Sequence, residues 1–181
     1  GLLQNLPIIY CMDRAGLVGP DGPTHHGVFD IPMLRMLPEM VVSAPKDGNE
    51  LRDLLYTATQ NNKSFSIRYP KGSSRNFDLN LKPKKLKIGS WQQLIQGENL
   101  AIIATGSMVG MAQDSIEKVS NQIGFKPTLI NARFIKPFDE KMLLEISKNH
   151  THIITIEEGC LTGGFGSGIL EYLNTNQIEI K

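Results

Sequence analysis

An α/β fold built on parallel sheet is predicted by three features of this 181-residue sequence. Short, nearly continuous apolar runs recur along the chain, the pattern of strands covered on both faces. Stretches with apolar residues at helical spacing alternate with those runs, as crossover helices do between parallel strands. The first run opens into a segment rich in glycine and proline, at the position where an open α/β sheet carries its ligand-binding loops. Hydrophobic residues make up 40% and charged residues 20%, so one large domain or two modest ones have material for a core.

Leu6 to Met12 (LPIIYCM) reads as the first strand and ends at Asp13-Arg14. Gly16, Gly19, Pro20, Gly22, Pro23 and Gly27 exclude a helix or a central strand in the segment that follows. Met40 to Ala44 is a second strand. Asp47 with Glu50 forms a capping box ahead of Leu51, Leu54, Leu55 and Ala58, which recur at helical spacing. Phe65 to Tyr69 returns as a strand stopped by Pro70.

The composition shifts over residues 71 to 87, with Lys82-Pro83-Lys84-Lys85 near the end. No aromatic residue interleaves these lysines, so 73–87 reads as a solvated interdomain linker rather than a nucleic-acid patch. Beyond it, Ile88 to Ile95 and Leu100 to Ala104 flank Gly97-Glu98-Asn99 and predict a hairpin. Met108, Met111, Ala112, Ile116, Val119 and Ile123 predict an amphipathic helix stopped by Gly124. A strand over Thr128 to Ala132, a helix opened by Asp139, a strand over His152 to Ile156 and a last helix through Leu173 complete a second α/β unit. Ile178 to Lys181 reads as one more strand, so both ends of the chain are expected to be cuts through a fold.

The net charge of +1 gives no general pull toward nucleic acid or an acidic membrane surface. No run approaches the roughly 18–20 apolar residues of a membrane span, and the first residues have no basic region or cleavage site of a signal peptide. Cys11 and Cys160 read as reduced, buried thiols of an intracellular protein, since no CxxC or Cys/His cluster exists.

Chemistry concentrates in Asp13 to Asp30, DRAGLVGPDGPTHHGVFD, expected at the carboxyl edge of the first sheet. Asp21 and His25 lie four residues apart across Gly22-Pro23, close enough to converge on one substrate group. A histidine moves protons near neutral pH, and an aspartate orients it or binds a hydroxyl. Arg14 and Arg68 stand at the carboxyl ends of strands, where a guanidinium fork suits a phosphate dianion. For Arg68 a surface ion pair reads equally well. The Gly163-Gly164-Phe165-Gly166-Ser167-Gly168 turn lacks dinucleotide spacing. It reads as a close-packing turn, or as an anion site at a helix start. Glu157 and Glu158 point in alternate directions after a strand and form no acid dyad. No phosphate-loop, GxSxG or HExxH motif occurs.

These residues closely resemble the 1-deoxy-D-xylulose-5-phosphate synthases, a family of transketolase-type thiamine-diphosphate enzymes. The resemblance runs through Asp13 to Asp30, Leu37-Pro38-Glu39-Met40, Ala44-Pro45, Asn49-Glu50, Ile67 to Gly72, Arg133 to Asp139 and Glu157 to Gly168. DRAG with TH and RYPKG is specific to the synthases; transketolases share mainly the DGPTH portion. The resemblance implies the carboxyl-terminal part of a pyrimidine-binding, transketolase-like domain over 1–72, the linker over 73–87, and a transketolase C-terminal domain, cut short, over 88–181.

The implied reaction condenses pyruvate with D-glyceraldehyde 3-phosphate, loses CO2 and yields 1-deoxy-D-xylulose 5-phosphate for isoprenoid, thiamine and pyridoxal synthesis. It requires thiamine diphosphate and Mg2+, whose ligands are expected mostly upstream of Gly1; no metal ligand is assigned in this chain. Arg14 and Arg68 match the arginines that hold the acceptor's phosphate, His25 the active-site histidine, and Asp21 the acidic residue beside it. His26 stands where relatives often carry Gln or Asn. The second domain is expected to serve structure and a homodimer formed through both domains. These residues alone are expected to be inactive, and bacterial cytoplasm or plastid stroma is the expected compartment. The alternatives are a transketolase proper, an α-oxoacid dehydrogenase β chain, a non-catalytic dimerisation module and a generic nucleotide-binding α/β protein. A phosphate clamp made by Arg14 with Arg68 separates the synthase from a lipoyl-using dehydrogenase.

Overall fold

The computed structural model describes residues 1–180. The first half contains β1 (Ile9–Met12), α1 (Asp30–Arg35), β2 (Val41–Ser43), α2 (Gly48–Thr59) and β3 (Phe65–Arg68). The second contains β4 (Gln92–Ile95), β5 (Leu100–Ala104), α3 (Met108–Ile123), β6 (Thr128–Asn131), β7 (Phe134–Lys136), α4 (Glu140–Asn149), β8 (His152–Ile156) and α5 (Phe165–Thr175). They build two four-stranded sheets, ordered β1-β3-β2-β7 and β4-β6-β5-β8.

In the first sheet β1 and β2 both run parallel to β3. β2 and β3 are buried along their full length, as the continuous apolar runs require, whereas β1 is an edge strand with Tyr10 and Cys11 exposed. The capping box at α2 forms with a one-residue shift. Asp47 accepts from the Glu50 N–H at 2.9 Å, but Glu50 reaches back to the Lys46 N–H at 2.8 Å. The buried Glu50 carboxylate also accepts from Asn131 at 2.8 and 3.1 Å, tying the start of α2 to β6.

Three expectations from the sequence change. The hairpin over 88–104 is absent: β4 pairs antiparallel with β6, while β5 lies on the other side of β6, parallel to it and to β8. The Gly97-Glu98 turn is stitched to the segment entering β6, through Gly97 N–H to Thr128 Oγ1 at 3.1 Å and Glu98 N–H to Lys126 O at 2.9 Å. A side chain at Gly97 would collide with the Lys126-Pro127 backbone, so that turn accommodates an inserted strand. Residues 178–180 form no strand, and Lys181 lies outside the described residues. Neither cysteine is buried: Cys11 is exposed and Cys160 half-buried.

The element not foreseen is β7. Phe134–Lys136 belongs by sequence position to the second half, yet it pairs antiparallel with β2 of the first sheet. One core follows from this crossing. Ile31, Met40, Val42 and Ala44 pack in a single cluster with Trp91, Ile103, Ile130, Ile135, Leu143 and Phe165. A second cluster beneath α2 takes in Phe134 beside Phe65 and Ile67. Residues 73–87 are almost all exposed but held. They track α2 from one end to the other, through Gly48 N–H to Ser74, Arg52 to Asp78 O, Lys84 N–H to Asp53 and Leu86 N–H to Thr57.

Candidate active site

The loop after β1 folds back across the carboxyl ends of the first sheet. Ala15 N–H bonds Tyr69 O at 3.0 Å, just past β3, and Gly27 N–H bonds Arg14 O at 3.0 Å. These bonds hold Arg14 at φ 60°, a backbone conformation that residues with a side chain rarely adopt. Gly27 is required by space. A Cβ there would lie 3.1 Å from Ala15 Cα and closer still to the Arg14 carbonyl oxygen. The return of the loop is fixed by His26, whose Nδ1 accepts from the Val18 N–H at 3.0 Å. That bond places the proton of a neutral His26 ring on Nε2.

Arg14 and Asp21 are brought together. Arg14 Nε donates to Asp21 Oδ2 at 2.7 Å and NH1 donates to Asp13 at 2.5 Å. Lys71 completes the group from just beyond the carboxyl end of β3, donating to both Asp21 oxygens at 2.7 and 2.8 Å. Hydrogen bonds from Lys71 and then Arg14 pull the Asp21 carboxyl down to about 2, so it is ionised at any working pH. Asp21 and Asp13 in turn push the Arg14 guanidinium up.

Arg68 is buried. Nε donates to Asp30 Oδ2 at 2.6 Å, and NH2 donates to Gly27 O at 3.1 Å and Glu158 O at 2.8 Å. It is an ion pair, as one reading of the sequence had it, but at 2% side-chain exposure it is not a surface one. Gly27 therefore sits between the two arginines, its N–H on Arg14 and its carbonyl on Arg68. Each arginine keeps one terminal nitrogen, NH2 of Arg14 and NH1 of Arg68, with no protein partner among the described residues.

His25 stands apart from Asp21. It is exposed, and its Nδ1 lies 3.0 Å from Thr24 Oγ1, while both Asp21 oxygens are engaged elsewhere. Glu157 and Glu158 do point apart. Glu157 accepts from the N–H groups of Phe165 and Gly166 at 2.8 Å each, so the anion at the start of α5 is the protein's own carboxylate. Glu158 turns the other way to Ser107, and its carbonyl holds Arg68. Asp13, Asp30, Lys71 and Glu158 were not among the residues proposed from sequence. Lys71 and Asp30 were nonetheless visible as the charged members of the YPKG and GVFD stretches.

Residues 2–76 match the pyrimidine-binding domain of transketolase, and residues 89–180 match the transketolase C-terminal domain. The chain belongs to the transketolase family. Within it, the chain is 49% identical over 170 residues to a 1-deoxy-D-xylulose-5-phosphate synthase of Aquifex aeolicus, covering 94% of this chain and 27% of that protein. Against the synthase of Syntrophus aciditrophicus identity is 47% over 177 residues, covering 98% and 27%. This chain thus spans about a quarter of the length of the curated relatives it matches. Among solved structures it superimposes on an inactive β4 tetramer of a split-gene transketolase with a TM-score of 0.81. Identity there is 24%, covering 92% of this chain and 53% of that one, a likeness of fold.

Proposed function

We propose that this chain is the acceptor-binding portion of a 1-deoxy-D-xylulose-5-phosphate synthase, joining pyruvate to D-glyceraldehyde 3-phosphate with loss of CO2. The observation that carries this reading is the arrangement of Arg14 and Arg68. They are hinged on one glycine peptide at the carboxyl edge of the sheet, and each has a terminal nitrogen left to donate. Two guanidinium donors at one edge suit the dianion of a triose phosphate. Near-half identity to synthases across nearly the whole chain supports the same choice.

This chain spans about a quarter of the length of the curated synthases it matches. We therefore assign thiamine diphosphate and Mg2+ to the part of the enzyme that this chain does not span. When bound, thiamine diphosphate supplies the carbanion chemistry that removes CO2 from pyruvate. The residues present act on the acceptor. Arg14 NH2 and Arg68 NH1 hold its phosphate, ionised Asp21 fixes Arg14, and exposed His25 exchanges a proton with the aldehyde oxygen as the new C–C bond forms. Asp21, ionised well below neutral pH, acts as a charge and an acceptor rather than as an acid.

By itself the chain is inactive in this reading. The enzyme is a homodimer: exposed Phe29, Met33 and Met36 on and beside α1, with exposed Leu161 and Leu170, offer apolar surface to a second copy. α1 is held against the Gly163-Gly164 turn by Arg35, which donates to Gly163 O and Gly164 O at 2.6 and 2.8 Å.

The test is product identification with the full-length enzyme that carries this chain. Pyruvate and glyceraldehyde 3-phosphate should yield a five-carbon 1-deoxyketose phosphate. Failure to use pyruvate, with two-carbon transfer from a ketose phosphate instead, would make the enzyme a transketolase.

A further inference from the structure

We propose that Lys71 is a positioning residue that gives this site its selectivity for a phosphorylated acceptor, by holding Asp21 on a single nitrogen of Arg14. This rests on the acceptor reading above and adds a residue to it. An isolated guanidinium and carboxylate settle into a side-on, bidentate pair, two parallel N–H···O bonds along one edge. For Arg14 and Asp21 that edge would be Nε with NH2. Only half of this pair forms: Asp21 Oδ2 accepts from Nε at 2.7 Å, and NH2 is left without a protein partner.

Lys71 accounts for the difference. Its ammonium bridges both Asp21 oxygens at 2.7 and 2.8 Å, so Oδ1 is turned toward Lys71 rather than toward Arg14 NH2. The ammonium is placed by the chain, not by chance. Lys71 follows Pro70 directly at the exit of β3, and Tyr69 N–H and O are both bonded to the β1 side of the sheet, at Met12 O and Ala15 N–H. Asp13 takes Arg14 NH1 at 2.5 Å from the opposite side. The guanidinium is thereby gripped at two nitrogens and presented at the third.

Without the ammonium, Asp21 is free to rotate onto Nε and NH2 together, and it would then occupy the donor that the acceptor's phosphate needs. The same substitution removes a positive charge from beside a dianion. Neither consequence touches an acceptor that carries no phosphate. Folding should be little affected, because the Lys71 side chain is half exposed and exposed ion pairs contribute little to stability.

The experiment compares wild-type, Lys71→Met and Lys71→Arg forms of the full-length enzyme, with D-glyceraldehyde 3-phosphate and with unphosphorylated D-glyceraldehyde. Lys71→Met should raise KM for the phosphorylated acceptor about tenfold or more, with kcat and the kcat/KM for glyceraldehyde within about twofold of wild type. Lys71→Arg should recover most of the loss. A crystal structure of Lys71→Met should show Asp21 bidentate on Arg14. Unchanged KM, or equal losses with both acceptors, overturns the proposal. So does an Asp21 that stays on Nε alone. A wild-type enzyme indifferent to the phosphate would instead sink the acceptor reading, and the Lys71→Met structure would still decide whether Lys71 sets the Asp21 geometry.

Discussion

Arg68 Nε meets Asp30 Oδ2 at 2.6 Å, in a pair whose side chains are 2% and 9% exposed. The same guanidinium ties three segments: the end of β3, the Gly27–Asp30 turn and the Glu158 turn of the second half. Removing one member of a buried pair leaves the other charge without compensation, at a cost of about 3–5 kcal/mol. Asp30→Ala is expected to destabilise this chain by that amount in equilibrium denaturation. A loss below about 1 kcal/mol would place the pair among solvated ones.

Asp21 gives a pH dependence with a definite sign. Its folded-state value, about 2, lies below the roughly 3.9 of an unfolded aspartate. Its contribution to stability is therefore complete above about pH 4 and is lost as the pH falls toward 2. The difference in unfolding free energy between wild type and Asp21→Asn should be flat from neutral pH to about 4 and shrink below it. A difference that shrinks mainly above pH 4 would contradict the Lys71 and Arg14 bonds.

Gly27→Ala tests the hinge between the arginines. The new methyl would press on the Arg14 carbonyl and on Ala15, and overpacking of this kind typically costs about 1–3 kcal/mol. Faster hydrogen exchange at the residue 27 amide, which is held by both Arg14 O and Gly16 O, is the specific sign. Wild-type protection would show that the loop has room to spare.

Glu157→Gln should lower stability by about 0.5–2 kcal/mol, because an ionised carboxylate at a helix start is replaced by a neutral amide. Thermal unfolding measures it, and added salt should narrow the gap.

Phe29, Met33 and Met36 test the assembly. Met33→Glu with Met36→Glu should convert the proposed homodimer of the full-length enzyme to monomer in light scattering, with the far-UV spectrum retained. An unchanged mass would move the interface elsewhere.

Much of this molecule is legible in the sequence because its local signals agree with its packing. The strand at Val41–Ser43, the Asp47 and Asp139 caps and the stop of α3 at Gly124 all stand where residue chemistry puts them. The misread parts are decided by distant segments. Gln92–Ile95 and Leu100–Ala104 carry good strand signals, but nothing local says that β6 lies between them. Phe134-Ile135-Lys136, closed off by a proline, is too short to announce an edge strand, and only the open hydrogen-bonding edge of β2 gives it a place. At the site, Arg14 and Asp21 proved to be neighbours, seven residues apart across one turn. Lys71, fifty residues from Asp21, is a contact that only the fold reveals.

The most direct test of the account is acceptor-dependent decarboxylation. CO2 release from pyruvate by the full-length enzyme, with thiamine diphosphate and Mg2+ supplied, should rise steeply with D-glyceraldehyde 3-phosphate. Arg14→Ala should weaken that dependence by about 1.5–3 kcal/mol in KM, the scale of a charge-assisted contact. CO2 release indifferent to the phosphorylated aldehyde, or an Arg14→Ala enzyme with wild-type KM, would contradict it.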